Sequence, residues 1–346
     1  MKNKSFKQRF VASPSERWRF RYAKPATIPQ ERKLSPSESN DEKMIYLESF
    51  RLATESDEAG YLLSGRTPSN PYPKGHKLDM TCHNVNNPYP FKIFPFKYLE
   101  RLDFAPITLL YGGNGSGKST ILNIIAQKLK LTRTSPYSRT PFFEDYLEFC
   151  RAELYRDKKP PEESCIITSD DVFDYMLNFR TLNEGVDRKR EELFEEWYNL
   201  RQGSFQIRSL EDVEELQHRR DAWKSTRSDF TARRIPKNLP GQSNGENAYG
   251  YFAEKIRGDA LYLLDEPENS LSAERQIELA RFLEDSARFY GCQFIISTHS
   301  PFLLSIPGAV IYDLDSLPVQ VRPWTELENV RVYYEFFKNH QKAFEP

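Results

Sequence analysis

ITLLYGGNGSGKST, from Ile107 to Thr120, places five strand-forming residues before a glycine-rich turn and the start of a helical run that continues to Lys130. Its centre, Gly112-Gly113-Asn114-Gly115-Ser116-Gly117-Lys118-Ser119, fits G-x-x-x-x-G-K-[ST], between the strand and the helix that this spacing requires. Glycines let the backbone wrap closely, so that successive N–H groups and a helix N-terminus face phosphate oxygens. Lys118 is then placed to reach the β- and γ-phosphates of a nucleotide and Ser119 to ligate Mg2+, with Thr120 completing the loop. A flexible Gly/Ser turn with a chance lysine is the bland alternative, and the flanking strand and helix weigh against it.

Working outward, LYLLDEPENSLS (Leu261 to Ser272) runs four apolar residues straight into carboxylates. A buried strand ending in Asp265 sets a carboxylate at the sheet edge where an open α/β fold holds its nucleotide, so Asp265 is the candidate metal ligand and Glu266 the candidate base for an attacking water. Alone, acidic residues at a strand end read more often as a solvated turn; beside a phosphate loop the balance reverses. FIISTHSP (Phe294 to Pro301) ends a second apolar strand in His299, an imidazole suited to contacting a γ-phosphate.

These strands, with Val310 to Leu314, alternate with helical runs such as Ala273 to Tyr290, which predicts an α/β fold with a mostly parallel core sheet. Residues 45–54 and 91–104 are rich in aromatic and β-prone residues and read as an antiparallel β portion, with the Pro- and Asn-rich 68–90 as a loop between them. Residues 141–234 read as a helical subdomain in several pieces, FFEDYLEFCRAELYRDK the first, interrupted by β-prone Cys165 to Thr168. From Arg188 to Arg234 eleven basic residues face ten acidic ones, the pattern of solvated helix faces. The expected division is a basic N-terminal extension and linker over 1–44, a core over 45–140 and 235–325, the helical subdomain between, and a C-terminal helix over 326–346. Leu327, Val330, Tyr333, Tyr334, Phe336 and Phe337 predict that this last helix packs on the core, with partner docking as the alternative.

The chain resembles the ABC-type P-loop ATPases, in their soluble branch of SMC, DNA-repair and overcoming-lysogenization-defect proteins, and most of all the small bacterial AAA-labelled ATPases. YGGNGSGKST, LYLLDEPENSLS and FIISTHSPFLL carry the resemblance, over roughly residues 91–315. It implies an ABC-type head with a helical subdomain inserted between the Walker A loop and the signature. It makes Asp265 the Walker B carboxylate, Glu266 the catalytic base, Asn269 to Ser272 the D-loop and His299 the switch histidine. Gln242-Ser243-Asn244-Gly245-Glu246 is the candidate signature: Ser243, Gly245 and Glu246 match the family pattern, whereas Gln242 and Asn244 depart from it. Through this segment ATP would glue two copies head to tail; a polar loop ahead of a helix is the alternative. Where the family has its Q-loop glutamine, after Thr168, this chain has Ser169-Asp170-Asp171, so Asp170 or Asp171 is the candidate replacement.

A formal net charge of -1 over 346 residues excludes a globally basic nucleic-acid binder, so any such surface is local. Residues 1–33 supply one candidate, with ten basic residues against two acidic and five aromatics interleaved, although a basic tail is the blander reading. Cys82, Cys150, Cys165 and Cys292 are dispersed, which argues against a zinc knuckle and for a reducing cytoplasm. No apolar run has membrane-spanning length. His76, Asp79 and His83 form a candidate metal trio. The resulting expectation is an enzyme that closes or dimerises on Mg-ATP, hydrolyses it and drives or gates a protein effector or nucleic acid, in DNA repair or anti-phage defence. A slow ATP-gated scaffold is the alternative, and a transporter cassette comes third.

Overall fold

The computed structural model describes residues 45–71, 88–202, 212–234 and 244–345. The chain begins with β1 (Leu47–Arg51), α1 (Glu55–Ser64), β2 (Arg101–Asp103), β3 (Ile107–Tyr111) and α2 (Lys118–Leu129). Then come α3 (Phe143–Phe149), β4 (Arg151–Leu154), β5 (Cys165–Thr168), α4 (Ser169–Gln202), α5 (Asp212–Lys224) and α6 (Arg227–Ala232). The remainder is α7 (Asn244–Lys255), β6 (Leu261–Asp265), α8 (Ala273–Phe289), β7 (Gln293–Ser297), α9 (Pro301–Leu304), β8 (Val310–Asp313), β9 (Gln320–Val321) and α10 (Glu328–Asn339).

The core sheet runs β5-β6-β7-β3-β8-β9, parallel throughout except for the final β8–β9 pair. Both of its faces are covered, which is why β3, β6 and β7 are apolar nearly end to end instead of alternating. The two-residue period of a strand divides their side chains. Leu261, Leu263 and Ile295 pack with Ile121, Leu122 and Ile125 of α2 and with Phe143 and Tyr146 of α3. Tyr262, Leu264, Phe294 and Ile296 pack with Phe252 of α7, Leu279 and Leu283 of α8 and Leu303 of α9. Each such fully buried side chain contributes about 1.5–3 kcal/mol.

A smaller antiparallel sheet, β2-β1-β4, lies on the α2 side of the core. Gln293, wholly buried at the start of β7, stitches the two sheets together. Its Oε1 accepts from Tyr46 N at 2.8 Å and Leu47 N at 2.9 Å, and its Nε2 donates to Leu47 O at 2.9 Å and Ala105 O at 3.3 Å. The segment after the antiparallel sheet's α1 is held by a second buried polar group. Thr54 and Asp57 form a reciprocal capping box that starts α1. From this helix Glu58 accepts the Lys92 N–H at 2.6 Å, and Tyr61 stacks on Phe91 with ring centroids 4.5 Å apart.

Four expectations change. Residues 142–158 are not one helix: the chain leaves α3 at Cys150 and Arg151–Leu154 becomes β4, the antiparallel partner of β1. Residues 91–100 contain no strand but a loop with a 3-10 turn at Pro95–Lys97, leaving only 101–103 extended. The helical pieces after Thr168 fuse into the 34-residue α4, about 50 Å long. Its far part meets α5 and α6 around a separate small core of Leu193, Ala222 and Phe230. The C-terminal helix does not bury its aromatic stripe: Leu327 and Val330 are buried, but Tyr333, Tyr334, Phe336 and Phe337 are about half exposed. Residues 1–33, the linker 35–43 and the His76, Asp79, His83 trio lie outside the described residues.

Two outcomes follow from the buried polar groups. Gln293→Leu strands two backbone N–H groups and two carbonyls, and is expected to lower unfolding free energy by about 3–5 kcal/mol, read from urea midpoints. Burial pushes the Glu58 carboxyl up to about 7. A carboxyl raised in the fold contributes stability that is complete below its unfolded value and lost as pH rises through its folded one. The urea midpoint of the parent is therefore expected to carry a falling component between about pH 5 and about pH 8 that Glu58→Gln removes; identical pH dependence in the two proteins contradicts this.

Candidate functional site

β3 delivers the chain to its phosphate loop in the crest between β7 and β8. Gly112 has φ 155°, and a Cβ there would sit 2.6 Å from Ser116 Oγ; Gly117 has φ 101°, and its Cβ would meet Phe94 at 3.2 Å. Both positions therefore need glycine. α2 opens at Lys118, so the first-turn N–H groups of Lys118, Ser119 and Thr120 have no carbonyl four residues earlier in the helix to bond, and the positive end of the helix dipole faces the loop. Asn114 and Gly115 form the exposed tip. Ser116 Oγ is buried without a hydrogen-bond partner, an orphan donor inside an anion cradle. Tyr89 adds a hydroxyl on the other side, 3.2 Å from Thr120 Oγ1.

Lys118 is only 4% exposed, which its charge tolerates because every ammonium proton is used. Nζ donates to Gly112 O at 2.8 Å, Gly113 O at 3.2 Å and His299 Nε2 at 2.8 Å. Because an ammonium only donates, Nε2 accepts and the imidazole proton belongs on Nδ1. Glu266 Oε1 stands 3.8 Å from Nζ and 3.4 Å from His299 Nε2. Burial lowers the Lys118 pKa, and the negative charge of Glu266, Asp265 and Asp315 opposes that shift.

The strand register makes this meeting possible. β6 and β7 pair in parallel with Asp265 opposite Ser297, and Ser297 in turn stands opposite Leu110 of β3. Three motifs far apart in sequence thus reach the carboxyl ends of neighbouring strands. Asp265 Oδ1 accepts from Ser119 Oγ at 3.0 Å and Ser297 Oγ at 2.5 Å; burial raises its pKa, and the two hydroxyls hold it down. A hydroxyl and a carboxylate, both hard oxygen donors 3.0 Å apart beside a phosphate cradle, fit Mg2+. Glu266 has φ 49°, an uncommon conformation for a side chain of its size, held by its N–H bonds to Ser297 O and Ser297 Oγ, both 3.1 Å.

Of the expected residues, Gly112 to Thr120, Asp265, Glu266 and His299 come together. Of the two candidate Q-loop replacements, Asp171 is otherwise engaged: its carboxylate accepts from Thr168 N and Oγ1 and from Ser135 Oγ, capping the start of α4. Asp170 alone lines the cavity of about 420 Å3 that Asp265 shares with Arg133, Tyr137 and Thr168. In the candidate signature, Ser243 lies outside the described residues, Gly245 falls in the first turn of α7, and Glu246 pairs with Arg275 of α8 at 3.2 Å.

Two contributors were missed from sequence. Asp315, just beyond β8, accepts the Gly113 N–H at 2.6 Å. Glu268, three residues past Asp265, bonds the His299 segment. The sequence shows Glu268 as the last residue of DEPE, but nothing local ties it to a strand end some thirty residues on.

A family model described as AAA domain, putative AbiEii toxin, Type IV TA system, matches residues 238–305. No curated protein matches the chain. Among solved structures, an inward-facing putative metal-chelate type ABC transporter is 17% identical with a TM-score of 0.33, over 68% of this chain and 81% of that one. The SMC head domain from Thermotoga maritima is 15% identical with a TM-score of 0.32, over 64% and 92%. A dimeric ATP-binding cassette in a post-hydrolysis state, bound to ADP and Pi, is 14% identical with a TM-score of 0.30, over 66% and 90%. The matched stretch 238–305 holds β6 and β7 with Asp265, Glu266 and His299, and the phosphate loop stands beside them in the same sheet. Over residues 238–305 the chain is therefore similar to the AAA family so described.

Proposed function

We propose that this chain binds Mg-ATP at the crest of β3, β6 and β7 and hydrolyses its β–γ bond. The observation that carries the reading is the mutual approach of Lys118, Glu266 and His299, all within 3.8 Å, beside the Ser119–Asp265 oxygen pair. Phosphoryl transfer to water needs positioning and charge neutralisation more than covalent help. An arriving triphosphate meets the first-turn amides of α2 and takes Lys118 from part of its present set of acceptors. His299 Nε2, no longer held by the ammonium, can then carry the imidazole proton, by a shift of tautomer or by uptake from solvent, and donate it in a hydrogen bond to a γ-phosphate oxygen. Glu266 accepts a proton from the attacking water as the water oxygen bonds the γ-phosphorus and the bond to the bridging oxygen breaks. Ser119 and Asp265 are the residues that would hold magnesium, which would there add charge neutralisation of the phosphate oxygens.

The wider cycle in this reading is closure or head-to-tail dimerisation on ATP through 242–246, with the change passed to a protein effector or to nucleic acid in DNA repair or anti-phage defence. Residues 1–33 are the candidate nucleic-acid arm. A slow ATP-gated scaffold is the second reading, favoured by one observation: the position after β5 carries no glutamine and its Asp171 is engaged in capping α4.

Glu266→Gln is expected to lower phosphate release by about a hundredfold to a thousandfold while leaving Mg-ATP affinity within about threefold, because the general base acts only in the transition state. Lys118→Ala is expected to lose nucleotide binding itself. Steady-state phosphate release with nucleotide titration of each variant checks both, and parental turnover in Glu266→Gln contradicts the assignment.

A further inference from the structure

We propose that Glu268 is the positioning residue for His299, making the turn 269–272 and the imidazole one mechanical unit. This rests on the reading of the site as an ATPase. A single oxygen of this carboxylate, Oε1, accepts from Thr298 Oγ1 at 2.8 Å, His299 N at 2.6 Å and Ser300 N at 3.1 Å. Two consecutive backbone amides and the hydroxyl before them thus converge on one acceptor, the geometry of an anion held in a backbone nest. The nest fixes the backbone on which the imidazole is mounted, so it fixes where Nε2 lies against Lys118 and Glu266.

The surroundings leave little freedom. Thr298 is wholly buried, and its N–H bonds Leu110 O at the end of the strand that leads into the phosphate loop. Glu268 Oε2 is buried with no hydrogen-bond partner. A buried carboxylate with one oxygen orphaned costs stability, and charged-group hydrogen bonds on the other oxygen offset that cost. Burial accordingly raises the Glu268 pKa while the His299 amide and Thr298 hydroxyl lower it. A group that only filled space would be better replaced by an apolar one.

A second tie runs parallel to the first. Gln276 of α8 accepts from Ser300 Oγ at 2.7 Å and donates to Leu271 O at 2.9 Å. Leu271 N in turn donates to Glu268 O at 3.0 Å, and Asn269 Nδ2 reaches Glu266 Oε2 at 3.2 Å. The exposed turn at Asn269 and Ser270 is therefore coupled by short bonds to both the candidate base and the imidazole. Anything that displaces that turn, a second copy of the chain included, displaces His299 with it.

The test compares Glu268→Ala, Glu268→Asp and Glu268→Gln in the full chain. Gln keeps an Oε1 acceptor in place, Asp withdraws it by one methylene, and Ala removes it. The Ala and Asp variants are expected to lose about thirtyfold or more in kcat with KM for Mg-ATP within about twofold, and Gln to retain kcat within about threefold, since small misplacements cost rate more than ground-state binding. In nucleotide-free protein, hydrogen exchange at the His299 and Ser300 amides is expected to quicken at least about tenfold in Ala and Asp but not in Gln. Parental kcat in Ala or Asp, or unchanged exchange at those two amides, overturns the proposal. Should the parent bind no nucleotide, the ATPase reading fails and the exchange comparison alone decides the tie.

Discussion

A buried ammonium has to be satisfied on every side, and Lys118 is the point from which the rest of this site is organised. At 4% exposure it cannot borrow water, so its three protons go to two loop carbonyls and an imidazole. Two of those partners exist only because Gly112 and Gly113 turn their carbonyls inward, and the third only because β7 ends where β3 does. The phosphate loop, the strand order and His299 are thus separate solutions to one electrostatic requirement.

The sheet supplies the coordination that the sequence separates. Because β6, β7 and β3 pair in parallel and in close register, their carboxyl ends line one crest, and residues over 150 positions apart become neighbours there. The antiparallel sheet and the loop around Phe91 to Phe94 close over the α2 side of the same crest, fixed by Gln293 and Glu58. Packing, buried polar stitching and the loop geometry act in series: apolar burial sets the register, Gln293 sets how the two sheets join, and the register sets which side chains meet.

Much of this was legible in the chain because it is local. A glycine pattern between a strand and a helix, and apolar runs ending in Asp265 or His299, each declare themselves within about a dozen residues. β4 was not legible: RAEL lies in a charged stretch with helical periodicity, and only its pairing with β1, a hundred residues earlier, makes it extended. α1 carries a local signal of its own, Thr54 and Asp57 at capping-box spacing at its start and Gly65 at its end. The amphipathic spacing of 327–337 correctly gives a helix but not what covers its stripe, because periodicity reports a face and not a neighbour. Asp315 and Glu268 bond backbone at other strand ends, an interaction with no sequence spacing at all.

In the proposed function a triphosphate and its metal occupy the cradle around Lys118. Calorimetric titration of the full chain with a non-hydrolysable ATP analogue tests this most directly, in the presence and in the absence of magnesium. One site per chain, weakened at least about tenfold without the metal, is the result predicted here. No heat of binding at millimolar analogue with magnesium present would contradict it.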